Sequence, residues 1–124
     1  MGKETHLRKS REFAAVRRTG RSISDRLLVL VSMPNGLTVT RLGFSISKRV
    51  GNAVTRNRIK RRLREAIQLN GIEKGWDLVI IARKDSSSAH FSEIMSSISK
   101  LLKRANVLEV DPQSKKHNRY MNDA

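Results

Sequence analysis

The sequence predicts an α+β domain whose elements run α-β-β-β-α-β-α through 124 residues. Three observations lead there. An arginine-rich stretch with helical periodicity sits mid-chain, β-type stretches lie on both sides of it, and a second amphipathic helix follows them. A chain of this length holds one modest core. A single domain is therefore expected over 10–110, between a flexible basic N-terminus at 1–9 and a disordered tail at 111–124, where DPQSKKHNRYMNDA has almost nothing to bury.

The first helix is expected over 11–19. Ser10 can cap it, Glu12 sits near the positive end of the helix dipole, and Gly20 is placed as the stop. Phe13, Ala14 and Val16 form a narrow apolar stripe that can bury only one side. The stretch RSISDRLLVLVSM is rich in β-formers, and its polar break at Ser24-Asp25-Arg26 divides a short strand around Ile23 from a longer one over 27–33. Pro34-Asn35-Gly36 then reads as a turn, because Pro fixes φ and Asn-Gly tolerates positive φ. Over 38–47 the chain returns as a strand with one buried face, Leu42, Phe44 and Ile46 alternating with Gly43, Ser45 and Ser47.

Asn52 can cap the basic helix, which runs to about residue 69 before Asn70-Gly71 ends it. Gly75 opens WDLVIIAR, whose unbroken apolar run over 78–82 is that of an interior strand covered on both faces. Asp77 and Asp85 flank this run and are expected to cap or turn. A strand, a helix and another strand suggest parallel pairing. The last helix follows Ser86-Ser87-Ser88, and Phe91, Ile94, Met95, Ile98, Leu101, Leu102 and Ala105 give it an apolar face to lay across the sheet.

The chain carries 26 Lys and Arg against 11 Asp and Glu, a formal charge of +15. Such a surface repels itself unless a polyanion is present, which makes nucleic acid the leading partner. From Arg26 to Arg64 there is no acidic residue, while Arg26, Arg41, Lys48, Arg49, Arg56, Arg58, Lys60, Arg61, Arg62 and Arg64 all fall there. One half of the fold should carry the positive field. No stretch approaches the roughly 18 apolar residues that span a bilayer, and MGKETHLRKS lacks the apolar core of a secretion signal, so no membrane and a cytoplasmic location are expected. The absence of cysteine excludes disulfides, thiolate zinc fingers and cysteine nucleophiles.

On the basic helix, Ile59, Leu63, Ala66 and Ile67 gather on one side, with Asn57, Arg61, Arg64 and Gln68 opposite, Arg58 and Arg62 along one edge and Arg56 and Lys60 along the other. A merely solvated face is the plain alternative. It fits poorly, because like charges at i,i+3 and i,i+4 such as Arg58 with Arg61 and Arg62 destabilise the helix with no acid nearby to compensate. Arginine also grips two phosphate oxygens at once or stacks on a base, and Lys48, Arg49 and Gly51 precede an amino end with free N–H groups.

The segment Gly51-Asn52-Ala53-Val54-Thr55-Arg56-Asn57-Arg58-Ile59-Lys60-Arg61 resembles the Arg-Asn-Arg signature of the protein subunit of bacterial ribonuclease P. The resemblance runs from about Ser10 to Val110, through Phe13 with Gly20-Arg21, the strand 43–48 and the strand 78–83. It implies a two-layer α/β sandwich, a four-stranded sheet and a left-handed βαβ crossover through the basic helix, where general rules favour the right hand. It implies a function as well: binding a catalytic RNA and, with it, removing the 5′ leader from precursor tRNA by endonucleolytic hydrolysis. Magnesium ions would be held mainly by the RNA, and the protein alone would be inactive, with no catalytic residue and no metal ligand of its own. Lys48, Arg49, Arg56, Asn57, Arg58, Lys60, Arg61 and Arg64 would face the catalytic RNA. Phe13, Arg17 and Val31 would fall in the leader-binding cleft, although Phe13 can equally serve the core. Family members often have aromatic residues where this chain has Arg17 and Val31, so Arg17 would supply a phosphate contact or a cation–π stack instead. No protein partner is implied.

Other readings are weaker. A ribosomal protein or general RNA chaperone would use the same basic helix without a role in cleavage. A protein-only enzyme lacks a constellation: His6, His90 and His117 lie far apart, His90 with Glu93 is an isolated pair, and no phosphate-cradling glycine loop occurs. A helix-turn-helix repressor needs a helix just before the reading helix, where 39–47 reads as strand.

Overall fold

The computed structural model describes residues 4–7 and 10–109. Strands β1 (Glu4–His6), β2 (Arg21–Ser24), β3 (Leu28–Pro34), β4 (Thr40–Ser45) and β5 (Trp76–Ala82) form one mixed sheet. Its spatial order is β1-β4-β5-β3-β2. Helices α1 (Ser10–Thr19), α2 (Ala53–Gln68) and α3 (Phe91–Ala105) complete the fold, with a 3-10 turn at Lys84–Ser88. The α-β-β-β-α-β-α order is present in full. Strand β1 is additional and stands where a flexible N-terminus was expected: it pairs in parallel with β4, Glu4 opposite Thr40 and His6 opposite Leu42, and Leu7 after it is buried. The tail over 111–124 lies outside the described residues.

Each element ends where its chemistry requires. Asp25 turns the chain between β2 and β3, its Oδ1 accepting the N–H groups of Leu27 and Leu28 at 2.9 and 3.0 Å. Burial works to raise the Asp25 pKa. Hydrogen bonds from Ser97 and from those two N–H groups, with the charge of Lys100, outweigh it and hold the carboxyl below its usual range. Asn52 caps α2, accepting the Thr55 N–H at 2.9 Å. His90 begins α3, its N–H bonded by Glu93 Oε1 at 2.9 Å, so this pair closes a helix end.

Strand β5 is the centre of the sheet. It pairs in parallel with β4 across α2, with Arg41 opposite Asp77 and Ser45 opposite Ile81, and antiparallel with β3. Because side chains alternate, its apolar run feeds two cores. Leu78, Ile80 and Ala82 join Leu28, Leu30 and Leu42 under Ile59, Leu63 and Ile67 of α2 and Ile94, Ile98 and Leu101 of α3. Val79 joins Val31 and Leu7 under Val16 of α1. Strand β4 is likewise covered on both sides, since Leu42 and Gly43 are both buried. Its expected single buried face failed because a glycine carries no apolar signal, although its missing side chain is what lets α1 approach.

Candidate nucleic-acid interface

Helix α2 buries Ile59, Leu63, Ala66 and Ile67, the four residues expected on its core side. The rest is cationic. Lys48 and Arg49 are exposed in the turn before it, Asn57, Lys60 and Arg61 are exposed along it, and Arg56, Arg58 and Arg64 are half-buried. Among the described residues none of these cations has a carboxylate within 4.0 Å; the ion pairs there involve Arg26, Arg41 and Lys100. The Nε atoms of Arg56, Arg58 and Arg64 are buried without a hydrogen-bond partner among the described residues, so these side chains are packed along part of their length and not freely extended. Arg64 lies 6.0 Å from the ring centroid of Phe44, a contact that orients it. Arg62 instead donates to the Ala89 carbonyl at 3.3 Å and ties α2 to the start of α3.

On the other side of the sheet an open cleft of about 620 Å³ runs between α1 and β4, lined by Ser10, Phe13, Ala14, Arg17, Arg18 and Ser45. Phe13 and Arg17 stand one turn apart and share it. Phe13 packs on the Val16 and Val31 cluster and also borders the cleft. Val31 is not a cleft residue. It is 3% exposed beneath α1, because β3 turns Val29, Val31 and Met33 toward the side that the helix covers. Arg18 and Ser45 line the cleft and were not foreseen; the helical neighbourhood of Arg17 and the alternation of β4 were the available signals.

A sequence model of the family described as Ribonuclease P matches residues 1–106. A ribonuclease P protein component of Clostridium botulinum (strain Loch Maree) is 45% identical over 108 residues, 85% of this chain and 97% of that protein. One from Clostridium kluyveri is 47% identical over 103 residues, 80% of this chain and 92% of its own length. The chain belongs to the ribonuclease P protein family. Solved structures of the family carry the same fold. The Staphylococcus aureus RNase P protein superposes with a TM-score of 0.78 at 33% identity, covering 86% of this chain and 100% of that one. The Thermotoga maritima protein does so with a TM-score of 0.73 at 33% identity, covering 80% and 96%.

Two arginines of the acid-free stretch are paired with carboxylates in this ribonuclease P family member, so not every cation there adds to the positive field. Arg26 lies 3.5 Å from both Asp85 and Glu93 in exposed pairs of little energetic weight. Arg41 is the stronger case. Its Nε and Nη2 donate to Asp77 Oδ1 and Oδ2 at 2.8 and 2.7 Å, and its Nη1 donates to Glu12 Oε2 at 2.9 Å. Asn35 Nδ2 adds a bond to Asp77 Oδ1 at 2.9 Å. Asp77 is therefore not a cap: it is 1% exposed and forms the anionic centre of a partly buried network. Burial works to raise its pKa, but hydrogen bonds from Arg41 and Asn35 and the Arg41 charge reverse this and leave the carboxyl below its usual 3.8. Hydrogen bonding to Asp77 in turn raises the Arg41 pKa further.

Gly43 is the seat of the Phe13 ring. A Cβ built there would lie 2.7 and 2.8 Å from two ring carbons and 3.1 Å from Leu7. Gly43→Ala is expected to cost about 1–3 kcal/mol by overpacking, read from chemical denaturation, and to push Phe13 toward the cleft. Among the described residues no three acidic or histidine side chains converge as a metal site would need, and the carboxylates of Glu12 and Asp77 are both bound to Arg41.

Proposed function

We propose that the chain acts as the RNA-binding protein subunit of ribonuclease P, assisting a catalytic RNA in removing the 5′ leader from precursor tRNA. Lys48, Arg49, Arg56, Asn57, Arg58, Lys60, Arg61 and Arg64 contact the sugar-phosphate backbone of the catalytic RNA, and the leader lies in the cleft beside Phe13, Arg17 and Arg18. The observation that carries the reading is the uncompensated set of cations around α2, in a chain of this family, with an open cationic cleft across the sheet. Phosphate contacts of this kind give affinity and strong salt dependence without sequence choice, which suits a subunit that must accept many precursors.

In this reading the chain works in the cytoplasm and the chemistry belongs to the RNA, with magnesium ions held mainly by it. The protein's part is to raise the local concentration of the leader and to screen repulsion between substrate and catalytic RNA phosphates. The test is direct. Purified protein is mixed with the cognate RNA and precursor tRNA at low magnesium, and 5′ cleavage is followed. Cleavage that rises on adding protein is the expected result. Equal rates with and without it favour the ribosomal or chaperone alternative, and cleavage by the protein without the RNA overturns the assignment of chemistry to the RNA.

A further inference from the structure

The cleft has one wall that little apolar packing holds. Val16 is the fully buried residue of α1, and the small cluster beneath it, Leu7, Val31 and Val79, contrasts with the extensive core under α2 and α3. A polar tether makes up the difference. Arg41 reaches from β4 to Glu12 on α1 at 2.9 Å, and its other edge is clamped bidentately by buried Asp77 of the neighbouring strand β5. Along β4, Arg41, Gly43 and Ser45 point to the same side of the sheet at successive two-residue steps. The first holds Glu12, the second receives Phe13, and the third lines the cleft. The ion pair and the ring contact thus pin adjacent residues of α1 at two points, which fixes the helix in rotation as well as in height.

We propose that Glu12 and Arg41 are positioning residues for the cleft: by locking α1 against β4 they hold Phe13 and Arg17 in register with Ser45, and so set the preference for leader-bearing over mature tRNA. Neither touches the leader. A planar guanidinium clamped on one edge by Asp77 presents its remaining N–H groups in a fixed direction, so Glu12 meets a rigid partner and not a flexible ammonium. The inference rests on the reading of this cleft as the leader site. It predicts an effect on the leader that is separate from any effect on assembly with the RNA, because α2 lies on the opposite face of the sheet.

The experiment uses the holoenzyme assembled from full-length protein and the catalytic RNA. Affinities are measured for precursor tRNA and for mature tRNA, with protein–RNA affinity measured in parallel. Glu12→Ala is expected to lower the precursor-to-mature preference by roughly tenfold, the scale of a small misplacement of contact groups, with RNA affinity unchanged. Glu12→Gln keeps an oxygen acceptor for Arg41 Nη1 and should recover most of the preference. Two results would overturn the inference: an unchanged preference in Glu12→Ala while Phe13→Ala or Arg17→Ala lowers it, or equal losses of preference and RNA affinity, the mark of a merely structural role. If Phe13→Ala and Arg17→Ala both leave the preference intact, the leader-site reading itself fails, and the positioning role falls with it.

Discussion

Replacing Arg58 and Arg61 together by Ala is expected to weaken binding to the catalytic RNA by roughly a hundredfold at low salt, at about 1.5 kcal/mol for each charge-assisted contact. The logarithmic salt dependence should flatten by about two, one for each phosphate released. Neither arginine has a carboxylate partner to lose, among the described residues. The fold should lose only the packing of the half-buried Arg58 stem, offset in part by relief of the i,i+3 repulsion and by the helix propensity of Ala; a melting temperature close to that of the parent would separate lost RNA contact from unfolding. Unchanged affinity and slope would mean that this side of α2 meets only water.

Asp77→Ala should act on the fold itself, destabilising it by about 1–3 kcal/mol, the cost of leaving partly buried donors without an acceptor. Against total stabilities of about 5–15 kcal/mol that is a large fraction, visible as a lower denaturant midpoint. The loss has a definite origin: Arg41 would keep Glu12 but lose the bidentate clamp, and Asn35 Nδ2 would lose an acceptor. The same carboxylate sets an acid limit. Its folded pKa lies below the unfolded value near 3.8, so its contribution is complete above that value and disappears as pH falls through the folded pKa. Asp77→Asn should therefore lower stability at neutral pH and show a shallower decline of stability with acid than the parent. An identical acid profile in the two would assign the acid sensitivity elsewhere.

Much of this architecture was legible because it is written in local periodicity. The buried side of α2 follows from Ile59, Leu63, Ala66 and Ile67 alone, and the two-sided burial of β5 from its unbroken apolar run. The family signature around Arg56, Asn57 and Arg58 is equally local. What escaped depends on contacts between distant segments. Arg41 and Asp77 stand 36 residues apart and meet because parallel register sets them opposite each other, so one read as a free cation and the other as a cap. Strand β1 is three residues with no apolar alternation, formed because β4 offers an edge. By analogy of position Val31 reads as a cleft wall, whereas the approach of α1 to β3 decides its burial. The alternation of β4 puts Ser45 on the same side as Gly43, but that this side borders a cleft follows only once Phe13 is seated on Gly43.

Strand β4 finishes at Ser45, on the cleft, and the exposed pair Lys48 and Arg49 follows almost at once. Three residues of backbone span at most about 10 Å. Substrate tail and ribozyme would thus be gauged against a single stiff rod, clamped by ladder hydrogen bonds along both of its flanks. The offset between those two grips is a built-in dimension of the fold, like the jaw setting of a fixed caliper, and loop evolution elsewhere can lengthen the chain without altering it.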